Sequence, residues 1–184
     1  ITTLSRCNNF LNTHFTADTL YLGGGTPSVL TGRQLFDIIT TTKSKFNIKP
    51  DAEITVECNP ASHIEEILPF LIDAGVNRIS LGLQSAIDKE RKTLGRASSK
   101  ERVQQVIDLL IKNGIENISL DVMLGIPYQT AESLDETLNF AINSGAKHIS
   151  SYILKIEENT HFYKHSDRYE FPDEDTVCDF YSQC

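Results

Sequence analysis

The sequence lacks several features that would place it in a particular class of protein. No window comes near the ~18 consecutive apolar residues of a membrane-spanning helix, so we predict no membrane span. No basic segment followed by an apolar stretch opens the chain, so it shows no signal peptide. Positive charge is also scarce, because 17 Lys and Arg stand against 25 Asp and Glu and give a net charge of −8. Without a long basic run, this balance argues against a nucleic-acid-binding surface.

Clustered cysteines are absent as well. Cys7, Cys58, Cys178 and Cys184 lie far apart and form no CxxC pair, so the spacing predicts neither a zinc site nor a disulfide framework. We therefore assign no metal ligand within the chain and expect reduced thiols in a cytoplasmic protein.

What the sequence does contain is a regular alternation of strand and helix patterns. With 184 residues and 40% apolar content, its length suits one globular domain. The patterns predict strands at 19–22, 53–57, 78–83, 117–123 and 148–153, and helices at 31–46, 64–74, 98–113 and 131–144. Such alternation is typical of parallel strands, in either an open doubly wound sheet or a β/α barrel.

Polar residues at the ends of the predicted strands favour the barrel. They are Gly23–Thr26, Glu57, Gln84 and Asp121, and they belong to four consecutive strands. An open sheet would gather its polar residues at one switch point, whereas a barrel places them around one shared mouth. We therefore predict an α/β fold, a partial parallel β/α barrel, with these residues facing a common ligand.

Each candidate residue also has a plainer structural interpretation. The three glycines permit either close backbone approach to a ligand or a tight turn with nothing bound. Glu57 suits ribose hydroxyls or is a solvated charge at a strand end, and Arg96 suits a carboxylate or is a surface arginine. Asp121 lies within an apolar strand, where a carboxylate needs partners, so a functional role is favoured.

Six segments, in order, give a more specific signal. They are YLGGGTPS, EITVECNP, GVNRISLGLQS, LGR, NISLDVMLGIPYQT and HISSYILKIEENT. Together they resemble the radical S-adenosylmethionine (SAM) proteins of the oxygen-independent coproporphyrinogen III oxidase group, and in particular its HemW branch of heme chaperones. The resemblance covers about residues 20–160 and implies a partial β/α barrel that binds SAM.

The resemblance also assigns roles to the candidate residues. Gly24, Gly25 and Thr26 match the loop that holds the amino end of SAM, and Glu57 matches the ribose-binding carboxylate. Gln84 matches a glutamine beside the nucleoside, Arg96 matches the arginine near the SAM carboxylate, and Asp121 matches the aspartate of the family strand.

One family feature does not match. The family carries a [4Fe–4S] cluster on a CxxxCxxC loop, and no such motif occurs in this sequence. We expect the cluster ligands upstream of Ile1, and a barrel core truncated at both ends. The expected organisation is a helix over 1–18, the barrel core over 19–160 and the start of a C-terminal extension over 161–184.

The sequence leaves three functions open. The first is a heme chaperone, the second an oxygen-independent coproporphyrinogen III oxidase, and the third a degenerate barrel that binds a ligand without a cluster. The expected partners are heme or a porphyrinogen, together with heme-accepting proteins.

An oxidase needs cations to bind the several propionates of its substrate, but the sequence offers few cations near the strand ends. Arg96 is already assigned to SAM, and Arg78 opens its strand at the opposite, amino-terminal end. Lys155 is therefore the one cation left for the propionates.

Overall fold

The computed structural model describes residues 16–184, which form a parallel sheet flanked by helices. The strands are β1 (Ala17–Leu22), β2 (Ile48–Cys58), β3 (Arg78–Gln84), β4 (Asn117–Leu124) and β5 (His148–Ile153). The helices are α1 (Gly32–Lys45), α2 (Ile64–Asp73), α3 (Asp88–Thr93), α4 (Lys100–Lys112), α5 (Ala131–Asn143), α6 (His161–Lys164) and α7 (Glu174–Gln183). No helix in this part of the chain is long and apolar enough to cross a membrane.

The order of the strands confirms the barrel interpretation. All neighbours pair in parallel, and the spatial order β1-β2-β3-β4-β5 follows the order of the chain. A doubly wound sheet would instead reverse direction at a switch point. The sheet therefore curls as a half-barrel, and the carboxyl ends of its strands meet at one edge.

The two faces of the sheet have opposite chemistry. Alternate strand residues such as Leu81, Leu120 and Val122 are fully buried against the helices, where Val106 and Leu110 of α4 meet them. Burying each such side chain stabilises the fold by about 1.5–3 kcal/mol. The other face carries polar residues instead, small ones such as Ser80 and Ser150 and larger ones such as Glu57, which leaves the inside of the half-barrel suited to a polar ligand.

Hydrogen bonds cross the polar face from strand to strand. Ser80 Oγ of β3 donates to Asp121 Oδ1 of β4 at 3.0 Å, and the hydroxyls of Ser119 and Ser150 lie 3.2 Å apart. A complete barrel normally fills its interior with branched apolar side chains. In this half-barrel the hydroxyls and carboxylates satisfy one another and line an open concave surface.

Some predicted boundaries were wrong for physical reasons. β2 begins at Ile48 and not at residue 53 as predicted. The prediction missed the first part of the strand because Pro50 and Asp51 interrupt the apolar pattern there, where the pairing of β2 with β1 shifts register. Helix α3 was not predicted, since its sequence DKERKT contains no apolar residue. The helix predicted over 1–18 lies mostly outside the described residues, but residues 17 and 18 already belong to β1.

Candidate functional site

A cavity of about 460 Å³ opens on the polar face at the carboxyl ends of the strands. This volume lies within the roughly 300–1,000 Å³ of typical small-molecule sites. Six of the predicted site residues line it, namely Gly25, Thr26, Glu57, Gln84, Arg96 and Asp121. The fold thus brings together residues as far apart in the chain as Gly25 and Asp121.

The seventh predicted residue, Gly24, supports the cavity through Glu57. Its backbone N–H donates to Glu57 Oε2 at 2.9 Å, so the glycine loop folds back onto the end of β2. Gly24 has a φ of 85°, a left-handed conformation that favours glycine. At Gly23, a Cβ would come within 2.7 Å of Glu57 Oε1. The loop therefore needs glycine to approach this carboxylate.

Tyr21 is a site residue that the sequence patterns did not reveal. Its hydroxyl donates to Glu57 Oε1 at 2.8 Å, so both oxygens of this carboxylate are engaged. Burial, followed by the hydrogen bond to Glu57, raises the pKa of Tyr21 to about 12. Tyr21 is two residues before Gly23 on β1 and lies in register with Thr55 of β2. The alternation of the strands could have placed it on the same face as Glu57.

Gln84 and Tyr152 form a second pair at the cavity. Tyr152 Oη donates to Gln84 Oε1 at 2.5 Å, which joins β5 to the end of β3. Gln84 is buried and has a φ of 68°, a costly conformation for a residue with a Cβ. The register shift between Gly82 and Gln84 accompanies this conformation. Such strain in a buried polar residue is typical of functional sites.

Asp121 lies at the centre of the polar face, in register with Gly82 on one side and Ser150 on the other. Burial raises the pKa of its carboxyl, and the negative charge of Glu57 acts in the same direction. The hydrogen bond from Ser80 and the positive charge of Arg78 oppose this shift. The net effect is that the folded protein holds a proton on Asp121 more tightly than the unfolded chain does.

We expect the Asp121→Asn variant to be more stable than the unmodified protein at pH 7, because burial raises the pKa of the Asp121 carboxyl and so makes its ionised form costly. A carboxyl whose pKa is raised on folding contributes stability below its unfolded pKa of about 3.9, and that contribution is lost as the pH rises through the folded pKa. Asparagine does not ionise, so the variant does not lose this stability as the pH rises. The difference in free energy of unfolding between the variant and the unmodified protein should therefore shrink as the pH falls towards about 4. Urea unfolding at several pH values tests this, with exposed Asp179→Asn as the control. A pH-independent difference would contradict it.

The position of Arg78 corrects one expectation. Arg78 opens β3 as predicted, but its side chain lines the cavity and is not confined to the opposite end of the strand. Its guanidinium lies 3.4 Å from Thr55 Oγ1 and 3.9 Å from Glu53 Oε1, because its position falls on the polar face and its side chain is long. Lys155, the predicted spare cation, instead pairs with Glu157 at 2.9 Å and is not a lining residue.

A buried arginine connects the loops that carry Gln84 and Arg96. Arg91 is only 1% exposed, and its Nη1 donates to the carbonyl of Ser85, next to Gln84, at 2.7 Å. Its own carbonyl accepts from the backbone N–H of Arg96 at 2.8 Å. Sequence reasoning missed this residue, because a lysine- and arginine-rich stretch ordinarily indicates a solvated surface. Arg91 positions two candidate ligand-binding residues relative to each other.

The cysteines of the described residues do not form a cluster site. Cys58 is buried, and burial together with the charge of Glu57 raises the pKa of its thiol to about 12, so the metal-binding thiolate is disfavoured. Cys178 and Cys184 are exposed on and after α7, and Cys7 lies outside the described residues. No group of three or more His, Cys, Asp or Glu between residues 16 and 184 is arranged to hold a metal ion.

Comparison with known proteins agrees with this geometry. The family model described as the Radical SAM superfamily matches residues 11–141. The chain belongs to the radical SAM superfamily. The resemblance drawn from the six sequence segments is thereby confirmed. The matched region contains all seven candidate residues of this radical SAM chain.

Its relatives include proteins named heme chaperone HemW and a protein named anaerobilin synthase. The heme chaperone HemW of Lactococcus lactis is 34% identical over 165 residues, which are 89% of this chain and 44% of that protein. The anaerobilin synthase of Escherichia coli O157:H7 is 36% identical over 141 residues, or 77% and 32% of the two chains. The chain thus spans less than half the length of the curated relatives that it matches.

Among solved structures, the Escherichia coli coproporphyrinogen III oxidase HemN, described as a radical SAM enzyme, has a TM-score of 0.83. The match covers 99% of this radical SAM chain and 43% of that protein, at 21% identity. At this identity the similarity establishes the fold alone.

Proposed function

We propose that the cavity binds SAM, and that the protein containing this chain is a HemW-like heme chaperone. The observation that carries the SAM assignment is the chemistry of the lining. Carboxylates, guanidiniums and hydrogen-bonding backbone groups converge on one cavity of about 460 Å³ at the strand ends. SAM is a zwitterionic amino acid joined through a sulfonium to a nucleoside, so it requires this mixture of groups.

The geometry suggests a role for each side chain. Glu57 is already oriented at the cavity by Gly24 and Tyr21, and its carboxylate can accept from ribose hydroxyls. Arg96 lines the cavity and offers a planar donor to the ligand carboxylate. Asp121 offers an acidic partner for the amino group or the sulfonium.

The remaining contacts complete the fit. Gln84 presents its amide to the nucleoside, and Gly25 and Thr26 contribute to holding the amino end. On reduction by a [4Fe–4S] cluster, SAM supplies radical chemistry; the residues that line the cavity contribute only binding and orientation. The cluster ligands are expected outside the described residues.

The heme chaperone assignment rests on two supports. Relatives named heme chaperone HemW are 33–34% identical to this chain over 89–90% of its length. In addition, the cavity is lined by two guanidiniums, Arg78 and Arg96. If Arg96 binds SAM, Arg78 is the one guanidinium left for a porphyrinogen among the lining residues that the structure describes, and Glu53 and Thr55 already contact it. This is little positive charge for a substrate with several propionates, which disfavours the coproporphyrinogen oxidase alternative.

We expect the full-length protein to bind heme and to transfer it to a heme-free acceptor in the cytoplasm, without oxidising coproporphyrinogen III. Heme binding is measured by absorbance titration and transfer by the spectrum of the acceptor. Oxidase activity is measured anaerobically with SAM and a reductant, by following porphyrin fluorescence after oxidation of the product.

Two results would contradict these assignments. Catalytic conversion to protoporphyrinogen IX that is lost in the Asp121→Ala variant would establish the oxidase instead. A full-length sequence without a CxxxCxxC motif would favour the third function, a ligand-binding barrel without a cluster.

A further inference from the structure

An aromatic and histidine cluster lies outside the SAM cavity, in the segment that follows β5. It consists of His161, Phe162, His165, Tyr169 and Phe171, and we call it the histidine–aromatic cluster. The Phe162 ring packs edge-on against Tyr169 at 5.0 Å and against Phe171 at 5.8 Å between centroids. His161 and His165 stack at 4.5 Å with an interplanar angle of 26°. The members are exposed or half-buried, so the cluster forms part of the surface.

The cluster is fixed to the same end of the half-barrel as the cavity. The backbone N–H of Tyr128, in the loop after β4, donates to the carbonyl of Glu170 at 2.8 Å. Tyr128 Oη donates to the carbonyl of Arg168 at 3.2 Å. Two hydrogen bonds thus attach the segment to the carboxyl edge of the sheet, where the strands present the SAM cavity.

The hydrogen bonding of the His165 ring is typical of a metal-binding imidazole. His165 Nδ1 lies 3.1 Å from the carbonyl oxygen of His161, which selects the tautomer protonated at Nδ1. Its Nε2 then carries a lone pair, and no hydrogen-bond partner for it occurs among residues 16–184. Metal-binding histidines typically donate one ring N–H to a carbonyl in this way, because it fixes the ring and strengthens the other nitrogen as a ligand.

The chemistry of the cluster favours heme iron over a free metal ion. A free transition metal needs three or four protein ligands, and no such group occurs between residues 16 and 184. In heme the porphyrin already supplies four nitrogens, so one imidazole is sufficient as an axial ligand. The half-buried rings of Phe162 and Tyr169 would offer apolar surface to a flat macrocycle, and the exposed Lys164 and Arg168 of the same segment would offer positive charge to its propionates.

We propose that His165 is an axial iron ligand of a heme that docks on the histidine–aromatic cluster. This inference rests on the proposed heme chaperone function and gives that function a cargo site within this chain. A single axial ligand on an open surface holds heme without enclosing it. Such a site suits a protein that must release its cargo to an acceptor.

The test compares variants of the full-length protein by titration with ferric heme. His165→Ala is expected to weaken binding at least tenfold and to remove the absorption bands of an imidazole-ligated heme, because the axial ligand is lost. Added imidazole should restore those bands in this variant, which a merely structural defect would not allow. Phe162→Leu should weaken binding but leave the bands unchanged. His63→Ala, with an 86% exposed side chain near α2, is the matched control and should behave like the unmodified protein.

The possible results separate this site from the general function. If the unmodified protein binds heme and His165→Ala has the same bands and affinity, the site assignment is wrong and the chaperone function stands. If the unmodified protein binds no heme, the chaperone function fails and the site fails with it. Melting curves of each variant, and SAM titration at the separate cavity, establish that the variants are folded.

Discussion

Anaerobic reconstitution of this 184-residue chain with iron and sulfide is expected to leave it without a stoichiometric [4Fe–4S] cluster. A radical SAM cluster needs about three protein thiolates in one loop, with SAM at the remaining iron. The sequence contains four cysteines, and no three of them lie near one another in the chain. Cys58 is also buried with a pKa raised to about 12, so it is poorly suited to act as a thiolate ligand.

Iron and sulfide analysis after desalting measures this outcome. The full-length protein, treated identically, is the positive control and should retain the cluster if it carries the family motif. Replacing Cys58 by Ala should leave the iron content of the short chain unchanged. About four irons per chain with a matching charge-transfer band would contradict the expectation, because the cluster would then be held without a three-cysteine loop.

The residues of the candidate site that could be predicted share a simple geometric signal. Glu57, Gln84 and Asp121 are polar residues at or near the ends of apolar strands. Parallel strands bring their carboxyl ends to one edge, so the spacing along the chain was enough to place these residues together. The glycine loop has a comparable signal, since consecutive glycines are expected where a backbone must approach another group closely.

The residues that escaped prediction depend on side-chain length and local distortion. Tyr21 and Tyr152 are ordinary strand residues by composition, and only the observed hydrogen bonds to Glu57 and Gln84 connect them with the cavity. Arg78 begins its strand at the far end, but its long side chain extends along the polar face. No pattern of residue types encodes that extension, because it depends on the small neighbours that leave room for it.

The fold was predictable in its alternation but less so at its irregularities. The strand and helix order followed from apolar periodicity, and the three helices that precede glycines end within two residues of the predicted boundaries. Helix α3 has no apolar periodicity of its own. It is held by the buried side chains of Glu90 and Arg91, which contact Ser85, and such polar contacts between buried side chains cannot be read from local sequence.

In the full-length protein, Glu57→Ala is expected to weaken SAM binding by about 1–3 kcal/mol, or roughly 5- to 150-fold. The variant loses the carboxylate proposed to accept the ribose hydroxyls. It also leaves Gly24 N–H and Tyr21 Oη without their acceptor, so the glycine loop loses its support. Calorimetric titration measures the affinity, and Glu66→Gln, an exposed carboxylate change on α2, is the control. Unchanged affinity in a folded Glu57→Ala protein would remove Glu57 from the site.

The Tyr21→Phe variant separates the binding of ribose hydroxyls by the Glu57 carboxylate from the orientation of that carboxylate by Tyr21. It keeps the carboxylate and the bond from Gly24 but frees Glu57 Oε1, the oxygen that Tyr21 now occupies at 2.8 Å. If ribose hydroxyls bind this carboxylate, they must share or replace the tyrosine contact. Affinity in Tyr21→Phe should therefore stay within about twofold of the unmodified protein or increase, because a free acceptor no longer has to exchange one hydrogen bond for another. A loss as large as that of Glu57→Ala would instead show that the tyrosine fixes the carboxylate in place, so that orientation by Tyr21 limits binding.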